Sequence, residues 1–252
     1  MKVTLKILCT VFVVIISLSM IVNASAPGSF SWYCKRNTEH LRPQIDAEMD
    51  FIEAYDGYYV DKRNEKKIYL TFDAGYENGN IAKILDVLKE ENVKATFFIL
   101  ENLLIKNTEL VKRMVEDGHV VGNHTATHKD VSQMTFEQLQ KELSTMEILF
   151  AEKIGRELPK YFRPPEGRFS EEALKRLQKM GYKTIFWSFA YADWDNNNQM
   201  PCDAAIKKIM DNIHNGEIML LHPTSATNAK ILSKIIKDLK SQGFSFETVD
   251  SL

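Results

Sequence analysis

Two histidines stand four residues apart in His124-Thr-Ala-Thr-His128. Two imidazoles at that spacing can meet one metal ion if the turn between them is helical or tightly looped. Alone the pair is a weak signal, because histidines so spaced more often pack in a core or sit on a surface. Its position strengthens it, since it follows a strand-like apolar run that ends in Gly122-Asn123. Asp73, at the end of Tyr69-Leu-Thr-Phe-Asp73, is a candidate base for a metal-bound water. Arg163 is a cation able to keep that carboxylate ionised, and His222 a candidate acid for a leaving group. Each has a bland alternative: a helix cap for Asp73, a surface fork for Arg163, a backbone-bonded imidazole for His222. Jointly the bland readings are less plausible, because these residues and Asp193 lie at or just after the ends of five different predicted strands.

The elements that position them alternate along the chain. Strand-like runs at KIYLTFD, KATFFIL, HVVGN, KYFRP, YKTIFWSF, EIMLLH and FSFETVD are separated by amphipathic stretches of helical period. The amphipathic stretches are NIAKILDVLKEEN, NTELVKRMVEDG, TFEQLQKELSTMEILFAEKIG, SEEALKRLQKMG, DAAIKKIMDNIHNG and AKILSKIIKDLKSQG. Asn107, Thr135 and Ser170 are expected N-caps, with Thr135 and Gln138 forming a capping box. Gly118, Gly181, Gly216 and Gly243 are expected to close helices in the left-handed conformation. Seven strands with covering helices make an α/β protein with a parallel sheet, either a barrel related to the (β/α)8 plan or an open doubly wound sheet. Both plans gather strand C-termini on one face, where the five polar residues would share a cleft.

The 252 residues, 44% hydrophobic, suit one large domain. Residues 1–26 have two early lysines, an apolar stretch from Ile7 to Val22 and Ala24-Ser25-Ala26, the pattern of an export signal peptide or, if uncleaved, a membrane anchor. Residues 27–66 form a charged and aromatic segment too apolar for a free linker, expected to pack on the domain spanning 67–252. The net charge of −2, or −4 without the two leader lysines, argues against a nucleic-acid surface. Membrane contact is expected only through the leader. Outside the leader, Cys34 and Cys202 are either a disulfide or two free thiols, with nothing in the sequence deciding between them.

With these residues in place, the chain resembles the polysaccharide deacetylases of the NodB-homology type, carbohydrate esterase family 4. Five motifs occur in order over residues 67–250: TFDAG, HTATH, RPPEG, WSFAYADW and LLH. The resemblance implies a distorted (β/α)7 barrel and a hydrolase that removes acetyl from N-acetylated sugars with a divalent ion, zinc or another. It implies Asp73 as catalytic base, His124 and His128 as metal ligands, Arg163 as the residue orienting the base and His222 as general acid. Glu166, Arg168, Asp193 and Trp194 are expected along the substrate site. The leading SWYCKRN and EAYDGYYVDK look like those of the spore-cortex enzymes that deacetylate N-acetylmuramic acid on the way to muramic δ-lactam. That subgroup implies a peptidoglycan strand as partner, its stem peptides removed by an amidase, and an exported enzyme in the cell wall or forespore intermembrane space. Deacetylation of N-acetylglucosamine polymers, or glycan binding without catalysis, are the alternatives.

Three positions depart from the family pattern. Ala74 stands where most members have a metal-binding aspartate, Ala190 where many have another acid, and Glu166 where an aromatic is usual. The loss at Ala74 predicts weak metal affinity. It also suggests that the lactyl group of a muramic substrate fills the space there, with Arg168 or another cation assisting.

Overall fold

The computed structural model describes residues 28–252. The expected leader lies outside the described residues, among which no helix is long and apolar enough to cross a membrane. The strands are β1 (Ser29–Ser31), β2 (Gly57–Tyr58), β3 (Lys67–Ala74), β4 (Thr96–Ile99), β5 (Val120–Asn123), β6 (Tyr161–Phe162), β7 (Arg168–Ser170), β8 (Lys183–Ile185), β9 (Phe189–Ala190), β10 (Glu217–Leu221) and β11 (Ser245–Glu247). The helices are α1 (Ile81–Glu90), α2 (Glu101–Lys106), α3 (Thr108–Glu116), α4 (Phe136–Ile154), α5 (Glu171–Lys179), α6 (Cys202–Asn212) and α7 (Ala226–Ser241).

The main sheet is parallel, in the order β2-β8-β6-β5-β4-β3-β10-β9, with β11 beside the start of β3. Its two margins are formed by β2 with β8 and by β9, and β8 and β9 are successive pieces of one chain segment. The sheet therefore curls back on itself into the distorted barrel that the resemblance implies. Strand β3 is the hub, bonded to β10, β4 and β11, and its residues 68–72 are all buried. A parallel strand covered on both faces needs such a continuous apolar run. The amphipathic stripes of α1, α3 and α7 supply Ile84, Leu88, Met114, Ile235 and Leu239 to the core against it.

All six expected helices form, and Thr135 and Gln138 make the capping box. Ser170 caps α5 through the Ala173 N–H. Asn107 is different: its side chain makes no cap bond, because α2, which the sequence reading lacked, runs directly into it and leaves no extended residue there. The four glycines are left-handed as expected, but Gly216 lies in a turn beyond the end of α6 rather than against the helix. The run YKTIFWSF is not one strand. It breaks at Phe186–Ser188, where the barrel closes.

The segment before β3 packs on the body, as its aromatics require. It contributes β1, a 3-10 turn at Ala47–Tyr55 and β2, and buries Trp32, Met49 and Ile52 against Phe169 and Phe186. Cys34 and Cys202 are both free.

Candidate active site

The C-terminal ends of the strands surround a cavity of about 740 Å³ whose lining includes Asp73, His124, His128, Glu166, Trp194 and His222. These six residues, separated by up to 149 positions in the chain, thus share one space, as the parallel sheet requires.

Arg163 follows β6 and is fully buried. Its Nη1 donates to Asp73 Oδ1 at 2.9 Å, its Nε to the Ile185 carbonyl at 3.0 Å and its Nη2 to the Phe186 carbonyl at 3.1 Å. The Phe98 ring lies over the guanidinium at 4.3 Å. Burial alone would raise the Asp73 pKa. The Arg163 charge, helped by His222 and by the direct hydrogen bond, outweighs burial and brings it below the usual carboxylate value.

The turn after β5 is a tight loop with left-handed residues at Thr125 and His128. Asn123 holds it: its Oδ1 accepts from the Thr125 N–H, and its Nδ2 donates to the Leu143 carbonyl and to the Tyr182 hydroxyl. Thr125 Oγ1 in turn accepts from the His128 N–H. This brings the two imidazole centroids within 5.0 Å. His124 Nδ1 faces the Arg163 carbonyl at 2.8 Å, and because a carbonyl only accepts, the proton belongs on Nδ1. The unprotonated Nε2 then points toward Asp73, 3.6 Å from Oδ2. Burial lowers the His124 pKa to about 4, so the ring is neutral, the form that binds metals.

His222 follows β10. Its Nδ1 donates to Asp193 Oδ1 at 2.7 Å, and its backbone N–H donates to Asp193 Oδ2 at 2.8 Å. Burial lowers the His222 pKa, but the bond to Asp193 and its charge prevail and raise it above the ordinary value.

The cavity does not hold every expected residue. Asp193 was expected along the substrate site, yet it is 1% exposed and lies behind His222, held also by Asn228 Nδ2 at 2.6 Å. Arg168 is outside the lining because β7 pairs with β1 and turns its side chain to the surface, between Glu166 at 3.1 Å and Asp130 at 3.4 Å. Ala74 has no exposed surface and packs in the apolar cluster of β3 and α1, so no open space stands there for a lactyl group. Ala190, by contrast, does line the cavity.

Glu166 and Gly167 are both left-handed. At Gly167 a Cβ would stand 2.8 Å from the Trp187 ring and 2.9 Å from Trp32 Cβ, so only glycine fits. Sequence reading missed Tyr76, Tyr191 and Asn228 as parts of the site. Tyr191 sits within the aromatic run that ends at Trp194, which was a usable signal. Asn228, on α7, had none.

Among the described residues no group of three or more His, Cys, Asp or Glu side chains converges as a metal site. The donor set is His124 Nε2 and His128, with the Asp73 carboxylate beside them. Two imidazoles fit a divalent ion that keeps much of its water, one ligand short of the usual catalytic zinc set.

Comparison with known proteins accords with this geometry. The family model for polysaccharide deacetylase matches residues 60–185. The chain is 41% identical over 223 residues, 88% of its length and 85% of the relative's, to the peptidoglycan-N-acetylmuramic acid deacetylase PdaA of Bacillus subtilis. It is 32% identical to a peptidoglycan-N-acetylglucosamine deacetylase of Bacillus cereus, over 80% of this chain and 74% of that one. The solved structure of Bacillus subtilis PdaA, described as a family 4 carbohydrate esterase, superimposes with a TM-score of 0.86, covering 89% of this chain and 96% of that one. A curled sheet, an acid beside two imidazoles and a likeness over most of both chains lead to one conclusion: this chain belongs to the polysaccharide deacetylase family, hydrolases of N-acetyl amide bonds.

Proposed function

We propose that the protein removes the acetyl group from N-acetylmuramic acid residues of peptidoglycan. The observation that carries the chemistry is the meeting of Arg163-bound Asp73, His124 with His128, and Asp193-backed His222 around one cavity. The muramic substrate is supported by the 41% identity to an enzyme named for it, against 32% for the glucosamine enzyme.

His124 and His128 are the residues to hold a divalent ion, zinc or another. Bound there, it supplies polarisation of the acetamide carbonyl and a lowered pKa for water. Without a third protein donor from position 74, its affinity is weak. Asp73, kept ionised by Arg163, takes the proton of the attacking water. The backbone N–H of Glu166 stabilises negative charge on the carbonyl oxygen as the carbon becomes tetrahedral. His222 has Nδ1 committed to Asp193, so Nε2 gives its proton to the amine as the C–N bond breaks. Trp194, exposed at the rim, and Glu166 flank the sugar.

Acetate and a free amine result, and in a muramic residue that amine lies near the lactyl carboxyl, suited to closure of a δ-lactam. The setting that accords with this role is outside the cytoplasm, in the cell wall or forespore intermembrane space during cortex formation. There residues 1–26 would serve as signal or anchor, and the strands would have lost their stem peptides to an amidase.

The test is incubation of the protein with peptide-free peptidoglycan strands, with and without chelator, followed by mass spectrometry. Chelator-sensitive loss of acetyl from muramic residues is expected. Turnover of glucosamine residues alone would move the assignment to the glucosamine class, and no turnover with retained binding would make the protein a glycan-binding module.

A further inference from the structure

We propose that Arg36, contributed by the segment before the barrel, selects for the charged substrate by receiving the carboxylate of its lactyl ether. This rests on the muramic reading above and adds the residue that would enforce it.

A substrate carboxylate must enter a cavity already lined by two acids, Asp73 and Glu166. Its binding there calls for a cation that those acids have not neutralised. Arg163 is buried and spent on Asp73 and two carbonyls. Arg168 is already shared between two carboxylates, Glu166 at 3.1 Å and Asp130 at 3.4 Å. Lys35 is paired with Asp46.

Arg36 is differently placed. Its Nη1 donates to the carbonyl of Ala190, a residue of the cavity wall, at 3.2 Å. Among the described residues it makes no other hydrogen bond and no ion pair, so the rest of its planar fork has no protein acceptor. A guanidinium in that state can take a carboxylate through two parallel N–H donors.

The segment carrying Arg36 is anchored on both sides. Upstream, the Trp32 N–H donates to the Gly167 carbonyl at 2.8 Å, and its indole Nε1 donates to the Trp187 carbonyl at 2.9 Å. Downstream, His40 Nδ1 bonds the Ile213 carbonyl at 2.8 Å. The segment thus follows the wall built by residues 166–167 and 187–190 and holds Arg36 against it.

The experiment compares the full-length protein with Arg36→Ala, Arg36→Lys and Lys129→Ala. Lys129 is included because it adjoins His128 in the chain and, among the described residues, has no acid partner either. The substrates are peptide-free strands with the lactyl carboxyl free, and the same strands with it converted to the methylamide. On the free acid, Arg36→Ala is expected to raise KM at least tenfold and Arg36→Lys to recover part of the loss. On the methylamide, the wild type is expected to fall to the level of Arg36→Ala. Equal slowing of the variant on both substrates, as a merely structural arginine would give, overturns the inference. So does a carboxylate-dependent loss at Lys129 instead of Arg36. Wild-type turnover of muramic residues that Arg36→Ala does not alter overturns it while leaving the muramic reading intact. Wild-type failure on muramic residues overturns both.

Discussion

Replacement of Asp193 by asparagine tests whether His222 works as an acid. Asp193 Oδ2 accepts from two donors, the His222 backbone N–H at 2.8 Å and Asn228 Nδ2 at 2.6 Å. In Asp193→Asn the amide oxygen belongs at that place, which turns the NH2 toward His222 Nδ1. A donor facing Nδ1 favours a neutral ring, and the carboxylate charge that held the pKa up is gone. What remains is burial, which lowers it. Loss of the opposite charge therefore lets burial prevail, and the His222 pKa falls. For a group that must be protonated, activity above both pKa values scales with the protonated fraction. A positioned general acid contributes roughly 100-fold or more, so the variant should lose about 100-fold in kcat/KM at alkaline pH. Toward acid pH the gap should narrow, and the basic limb of the profile should move to lower pH. The assay is kcat/KM against pH for both proteins on one soluble acetylated oligosaccharide. A basic limb that stays in place, or a loss equal at every pH, would refute the assignment.

Arg163→Met should destabilise the fold by about 3–5 kcal/mol, because it leaves the Asp73 carboxylate buried without its partner; urea unfolding measures this, and a change under 1 kcal/mol would contradict it. Ala74→Asp puts a carboxyl into the apolar cluster at a position with no exposed surface, so it should cost about 1–3 kcal/mol in the presence of chelator. Zinc should restore part of that loss if the new carboxylate reaches the imidazoles, and thermal melts identical with and without zinc would exclude such a third ligand. Asn123→Ala removes the bonds that fix the turn carrying His124 and His128. It should weaken apparent metal affinity about 10–100-fold, as read by titrating zinc into chelator-treated enzyme.

Much of this was legible before the structure, for reasons that can be named. The run KIYLTFD is apolar throughout because β3 is covered on both faces, and helical periods between such runs leave few topologies other than a parallel sheet. Asp73, His124, Arg163 and His222 could be grouped because a parallel sheet brings strand ends together. What failed to show depends on where side chains turn. Asp193 and Trp194 are neighbours in sequence, yet one is buried behind His222 and the other stands at the rim. Asp73 and Ala74 are also neighbours, and alternation along the strand sends the second into the core, where the expected gap disappears. Arg36 reaches the wall only through long-range anchors at Gly167, Trp187 and Ile213, which no local pattern announces.

The break between β8 and β9 has a mechanical meaning. Residues 185–188 are the joint at which the barrel's hoop meets itself. The same few residues grip the guanidinium through the Ile185 and Phe186 carbonyls, place Trp187 in the cavity wall, and tie Ser188 to the neighbouring strand through the Ile218 carbonyl. Closure of the scaffold and placement of the Asp73 carboxylate are thus one fastening. Loosening the hoop slackens the hold on Asp73 at the same moment.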